Sequence, residues 1–334
     1  MTGRTNRQIA LARRPLGDIA ADDFRHRAVP VRDLQPGEFL VQNRWLSIDP
    51  YMRVRMNEAR SYAPPQPLDQ VMGGTTAGDV IASNHPCFAE GDRVVGLGGW
   101  QLYAIDSGAG FVRVETSAVP LQAYLGVAGM PGMTAWYGIR HIIRPKSGET
   151  IVVSAASGAV GSVAGQLSKQ AGCRVIGIAG GPEKCRHVVD DLGLDACIDH
   201  KAGNLDIQLA AAAADGIDGY FDNVGGAVLD AVMRRLNTFA RVAVCGQISG
   251  GYDTTPLPLA DTSMLLTARL VMQGFIISDH RDLWPAARAE LVRLVAERRL
   301  VYRETIAEGL DAAPTALINV LKGANLGKQL VRLS

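Results

Sequence analysis

Ala156-Ser157-Gly158-Ala159-Val160-Gly161 is a glycine-spaced turn of the kind that holds a pyrophosphate, with alanine in the first glycine position. It follows the apolar run Thr150-Ile151-Val152-Val153-Ser154 and opens a helical stretch from Ala159 to Ala171, the context that gives such a hexapeptide meaning. Gly158 lets the backbone approach the phosphates and Gly161 allows close helix–strand packing. The helix start, with Ala159 and Val160 beside it, offers N–H groups and a positive end. The chemistry is dinucleotide binding. An NAD site places Asp or Glu at the end of the second strand, about 20 residues on, to hold the ribose 2′-hydroxyl. Here that strand ends Ala179-Gly180-Gly181 without an acid. Lys184 and Arg186 follow and can pair with a 2′-phosphate, which reads as NADPH/NADP rather than NAD; Glu183 is the neighbour that fits a solvated helix start instead.

Metal and hydroxyl chemistry are the other possibilities. Catalytic zinc takes three protein ligands and keeps a fourth position open. The first 125 residues contain one cysteine, Cys87, and two histidines, His26 and His85. His85 and Cys87 are too close in sequence, and too polar in setting beside Asn84 and Pro86, to make a ligand pair, so no metal is expected. Two tyrosines are candidate donors to a developing oxyanion. Tyr62 lies in the Pro-rich segment Tyr62–Pro67, and Tyr252 follows the strand end Cys245-Gly246-Gln247-Ile248-Ser249. Asp222, at a strand end, reads as an orienting acceptor rather than a general acid. His141 and His187 fall in helical stretches and are expected at the surface; Trp45, Trp100 and Trp136 are read as packing residues.

Two kinds of element must position these groups. The early part reads as short strands broken by turns, Phe39–Leu46, Gly78–Ser83 and Arg93–Leu97, which indicates a β-rich domain. From about residue 126 buried apolar strands alternate with helices: Thr150–Ser154, Cys173–Ala179, Ala196–Asp199, Gly219–Val224 and Arg241–Gly246. That alternation predicts a doubly wound parallel sheet. A helix over Leu283–Arg299 and a helix–strand pair, Ala312–Leu321 and Gly327–Leu333, close the chain. The 334 residues are 47% hydrophobic and 20% charged with net charge +1, which gives no electrostatic reason to expect nucleic acid or an anionic membrane. No stretch is apolar for the length a membrane span needs, the Arg-rich start lacks the apolar core of a signal peptide, and five scattered cysteines suggest reduced thiols; a cytoplasmic protein is expected.

At this point a resemblance enters. The blocks Ser154–Ser162, Tyr220-Phe221-Asp222-Asn223-Val224-Gly225-Gly226, Asn325-Leu326-Gly327-Lys328, Leu46–Arg53 and Gly129–Ala135 resemble the zinc-independent medium-chain dehydrogenase/reductases. Within them they resemble the group of prostaglandin reductases, plant double-bond reductases and bacterial curcumin reductases. The bacterial branch fits best, through Ala179–Cys185 and Ile198-Asp199-His200.

The resemblance implies a Rossmann NADP-binding domain at 126–289 and a GroES-like catalytic domain made of 1–125 with 290–334. It implies Gly158, Ala159, Val160 and Gly161 around the pyrophosphate, Lys184 at the 2′-phosphate, and Asn223 and Asn325 on the ribose and nicotinamide side. Cys245, Gly246, Ile248, Phe275 and Ile277 would line the nicotinamide pocket, with Pro50, Met130 and Thr134 also among the cofactor contacts. Several relatives carry tyrosine where this chain has His200. The implied reaction is reduction of the C=C bond of a small hydrophobic enal or enone, by a homodimer that pairs through the strand Leu270–Ile276. Quinone reduction with the same cofactor, and a non-catalytic NADPH-binding scaffold, remain alternatives.

Overall fold

The computed structural model describes residues 3–59, 61–250, 258–259 and 261–333. The chain forms two compact units, Met1–Gly126 with Glu304–Ser334, and Val127–Arg303. The return to the first unit falls at 303/304, where 289/290 was expected, because the helix Trp284–Ala296 stays with the second unit.

The first unit opens with an antiparallel hairpin, β1 (Thr5–Leu11) and β2 (Phe24–Pro30). The sequence reading did not identify it: inward Ile9, Ala10 and Leu11 are fully buried, but Arg7 and Gln8 mask the alternation. A sheet follows with β3 (Phe39–Ser47), the short helix α1 (Tyr51–Arg55), β4 (Thr76–Ser83), β5 (Arg93–Gly96), β6 (Tyr103–Asp106) and β7 (Phe111–Arg113). Its core is Phe39, Val41, Val80, Val94, Ala104 and Phe111. Burying the phenylalanine and valine side chains among these contributes about 1.5–3 kcal/mol each.

The second unit begins with helix α2 (Met130–Tyr137), continued by a π-helical turn, and carries β8 (Thr150–Ser154), α3 (Gly161–Gln170), β9 (Arg174–Ala179), α4 (Pro182–Arg186) and β10 (Ala196–Asp199). Then come α5 (Leu205–Ala212), β11 (Ile217–Asp222), α6 (Gly226–Met233), β12 (Leu236–Val244), α7 (Ser263–Thr267), β13 (Val271–Gly274) and α8 (Trp284–Ala296). The six strands pair in the order β10-β9-β8-β11-β12-β13, every pair parallel. This is a Rossmann sheet, with the order reversing between β8 and β11. Strand β8 is buried at all five positions, as a central parallel strand requires.

The tail rejoins the first unit as β14 (Glu304–Glu308), α9 (Ala313–Leu321) and β15 (Lys328–Arg332). Strand β14 runs parallel to β15, and β15 antiparallel to β3, extending that sheet. The fold is the expected α/β pairing of a Rossmann domain with a β-rich domain.

Candidate active site

The phosphate-binding turn is built from a strained corner. Ala155 adopts φ +48°, outside the usual range of a non-glycine residue, and its carbonyl accepts from the Gly158 N–H at 2.9 Å. A Cβ on Gly161 would lie 2.3 Å from that carbonyl oxygen, so the helix can start this close only with glycine. A Cβ on Gly158 would meet the same oxygen at 3.2 Å, so the clearance there is larger. The corner delivers the chain into α3, where the Ser162 N–H already donates to the Gly158 carbonyl at 3.0 Å and the helix start turns its positive end toward the corner. Such a turn fits a pyrophosphate.

Asp222 ties the neighbouring strand ends together. The fully buried carboxylate accepts from Tyr220 OH at 2.7 Å, from Ser154 Oγ at 3.2 Å, and from the N–H groups of Val224 and Gly225 at 3.0 Å. It is an orienting acceptor. Its backbone carbonyl accepts from the Cys245 and Gly246 N–H groups, which fixes the end of β12 against β11. Asn223 is buried and donates from Nδ2 to the Ser154 carbonyl at 2.7 Å. Burial, and secondarily Asp222, push the Cys245 thiol up to about 12, so it is neutral at pH 7. Ile248 is partly exposed.

At the end of β9 the main chain turns through Gly180-Gly181. The carboxylate of Asp199, on β10, does not reach outward for a ribose; it accepts from the N–H groups of Gly181 at 2.8 Å and Lys201 at 2.9 Å. Lys184 is half-buried on α4, and His200 and Lys201 sit on the turn after β10. The position that selects NAD therefore offers cations, not an acid, and it fits a 2′-phosphate.

The remaining expected residues of this unit are spread over two elements. Thr134 Oγ1 donates to the Met130 carbonyl at 2.8 Å within α2. Phe275 lies 5.3 Å from Tyr137, which is stacked between His280 at 4.1 Å and His141 at 4.9 Å, and Ile277 is buried. His141 is held below its ordinary pKa by burial, Arg144 and His280. His187, expected at the surface, is instead buried, because the helix after α4 widens into a π-turn that brings Asp191 Oδ2 within 2.6 Å of its Nδ1.

In the first unit Pro50 precedes α1, and Tyr62 is 56% exposed in the Pro-rich loop. Arg55 Nε donates to the Pro64 carbonyl at 3.1 Å, which fastens that loop to α1. Tyr51 stands close enough to interact with Tyr62, is hydrogen-bonded with Thr75, and is pushed above the ordinary phenol range by burial and Asp49. Asn325 Nδ2 donates to the Gly327 carbonyl at 2.8 Å. Tyr252 lies outside the described residues. Sequence reasoning placed Lys328 in a family block without giving it a role, though its ammonium is buried on Asp49, and it passed over Lys201, whose place beside His200 in the sequence offered a signal. Among the described residues no three His, Cys, Asp or Glu side chains are grouped to hold a metal ion.

Residues 7–114 match the family described as N-terminal domain of oxidoreductase, and residues 159–296 the family described as zinc-binding dehydrogenase. The chain is 44% identical to the NADPH-dependent curcumin reductase of Escherichia coli (strain K12), over 98% of this chain and 97% of that one. It is 37% identical to the NADP(+)-dependent 2-alkenal reductase of Nicotiana tabacum, over 99% and 98%. The solved structure of CurA in complex with NADPH from Vibrio vulnificus is 46% identical, with a TM-score of 0.93 over 98% of this chain and 99% of that chain. The chain belongs to the medium-chain dehydrogenase/reductases, in their zinc-independent group of curcumin, 2-alkenal and prostaglandin reductases.

Proposed function

We propose that the protein uses NADPH to reduce the carbon–carbon double bond of α,β-unsaturated aldehydes and ketones. The observation that carries this reading is end-to-end similarity to reductases named for curcumin and for 2-alkenals, combined with a cationic cluster where an NAD site would carry an acid. When bound, NADPH would supply the hydride for the β-carbon, leaving the charge on the conjugated carbonyl as an enolate, and a proton from water would complete the saturated bond at the α-carbon. The chain's own part is to position the partners and to donate hydrogen bonds to the forming oxyanion. Gly158 to Gly161 would hold the pyrophosphate, with Lys184 and His200 at the 2′-phosphate. Asn223, Asn325, Cys245, Gly246, Ile248, Phe275, Ile277, Pro50, Met130 and Thr134 are the further cofactor contacts of this reading, and Tyr62 and Tyr252 its oxyanion donors.

NADPH oxidation with 2-alkenals, curcumin-like enones and quinones tests it, with the product's saturated bond identified by mass and NMR. Turnover of quinones without turnover of any enal or enone would overturn the assignment. Tyr62→Phe and Tyr252→Phe, each assayed for kcat and for NADPH affinity, separate the donors: the true donor loses about 100–1,000-fold in kcat with cofactor binding unchanged.

The reading includes a homodimer in the cytoplasm. Strand β13 ends the six-stranded sheet, and among the described residues no strand pairs with its outer side. Val271 on that edge and Leu266 just before it are exposed. Among the described residues no helix is long and apolar enough to cross a membrane.

A further inference from the structure

One guanidinium gathers three acceptors from a single loop. Arg14 lies, partly buried, in the irregular stretch after β1. Its Nη1 donates to the Met56 carbonyl at 2.8 Å and to the Gln66 carbonyl at 3.3 Å, and its Nε donates to Glu58 Oε1 at 2.8 Å. Met56 caps α1 and Gln66 lies in the Pro-rich stretch, so one nitrogen bridges the two feet of the loop that carries Tyr62. The loop has a separate closure. The Gln66 N–H donates to the Arg55 carbonyl at 2.6 Å; its buried side chain donates from Nε2 to the Val71 carbonyl at 3.1 Å and accepts from the Gly73 N–H at 2.9 Å. Gln66 therefore keeps the feet together without Arg14. What Arg14 adds is orientation, because the donors of a guanidinium leave it in fixed directions. The stretch it comes from is itself anchored, since the buried Arg53 of α1 donates from Nη2 to the Gly17 carbonyl at 2.7 Å.

We propose that Arg14 is a positioning residue for the reduction: by bridging the two feet of this loop it holds the Tyr62 hydroxyl at the place where the oxyanion forms. The inference rests on the reading of Tyr62 as an oxyanion donor in enone reduction. A donor serves an oxyanion only at hydrogen-bond distance from it, and a displacement of about 1 Å can cost about 100-fold in rate. Glu58 is well exposed, so its ion pair with Arg14 contributes little by itself. The two carbonyls are the contacts that matter, because they lie in the backbone that sets the direction of the loop. Arg14 touches neither substrate nor cofactor in this account. It acts through Tyr62, and its effect on rate must vanish when the Tyr62 hydroxyl is gone.

A double-mutant cycle on kcat, with saturating NADPH and 2-alkenals or curcumin-like enones as acceptors, reads that dependence. Arg14→Met in the parent is expected to lower kcat about 10–100-fold, with the NADPH Kd and the circular dichroism of the parent. In the Tyr62→Phe background the same change should lower kcat by less than about twofold. Arg14→Lys keeps the charge opposite Glu58 without the fork and should recover only part of the loss. If Arg14→Met does not fold, Arg14→Lys takes its place in the cycle with the same expected loss of effect. Equal factors in the two backgrounds, or parental kcat in Arg14→Met, would overturn the proposal while enone reduction stands. Parental kcat in Tyr62→Phe would remove Tyr62 as donor and the proposal with it. A parent protein that reduces no enal or enone would sink the reading beneath both.

Discussion

Lys328 Nζ donates to Asp49 Oδ1 at 2.8 Å, with side-chain exposures of only 4% and 9%. The same ammonium donates to the Ile48 carbonyl at 2.6 Å, and Ser47 Oγ donates to the other Asp49 oxygen. The pair joins the first residue of β15 to the turn that leads from β3 into α1, segments separated by most of the sequence. It gives the tail a second task besides extending the sheet: neutralising a carboxylate that the turn has drawn out of water.

Removing one member of a buried ion pair leaves the other charge stranded, at a cost of about 3–5 kcal/mol. Lys328→Met is expected to lose that much in denaturant unfolding. Lys328→Met combined with Asp49→Asn should lose less than Lys328→Met alone, because no charge is left behind. Equal losses would mean that the ammonium serves Ile48 rather than Asp49.

The two glycines of the phosphate turn should respond differently to alanine. At Gly161 the new Cβ would sit 2.3 Å from backbone oxygen, so Gly161→Ala must displace the start of α3, with a stability loss of about 1–3 kcal/mol. At Gly158 the contact is 3.2 Å, which a small shift absorbs. Gly158→Ala is expected to melt within a few degrees of the parent yet bind NADPH more weakly by tenfold or more. Thermal melts and cofactor titrations on both variants check this; a Gly158→Ala protein with parental NADPH affinity would contradict its place at the pyrophosphate.

The second unit was legible in the sequence because its strands are continuous apolar runs. Strands β8 and β10 fall where the runs Thr150–Ser154 and Ala196–Asp199 put them. Strands with one wet face were harder. Hairpin β1–β2 and strand β14 carry Arg, Gln, Glu and Thr among their apolar residues and gave no clear period. The glycine turn and the missing acid were readable locally, since both are fixed by a few consecutive residues. Lys328 on Asp49 was not, because no local pattern announces a partner at the other end of the chain. His187 deceived for the opposite reason: its neighbours look like a surface helix, and only the π-turn tucks it inward.

Glu304 should make the first unit less stable as pH rises through the weakly acidic range. Burial raises its carboxyl to about 6 against an ordinary 4.5, opposed by a hydrogen bond with Gln122 and attraction to Lys328. One of its oxygens is buried with no hydrogen-bond partner among the described residues. Between those two values the folded chain holds more proton than the unfolded one, so stability falls with rising pH across the interval and levels off above it. Glu304→Gln removes the charge. It is expected to stabilise the protein by about 1 kcal/mol at pH 7.5, allowing for solvent screening of a partly exposed group, and by nothing at pH 4. Unfolding curves at the two pH values decide it; a variant less stable than the parent at pH 7.5 would show that attraction to Lys328 outweighs the burial.

The outer edge of β13 gives the last expectation. An open strand edge with apolar side chains nearby is a template for pairing with another chain. Val271 is 52% exposed and Leu266 80% exposed, while Phe239, also exposed, is covered on one face by Arg269 at 4.7 Å. If two copies join β13 to β13, a lysine on this edge places like charges opposite one another across the twofold axis and withdraws apolar contact at the same time. Val271→Lys with Leu266→Glu should then sediment as a monomer at micromolar concentration where the parent sediments as a dimer. Both changes are at exposed positions and should leave the monomer's fold, followed by circular dichroism, as it was. A double variant that still sediments as a dimer would move the interface to another face of the molecule.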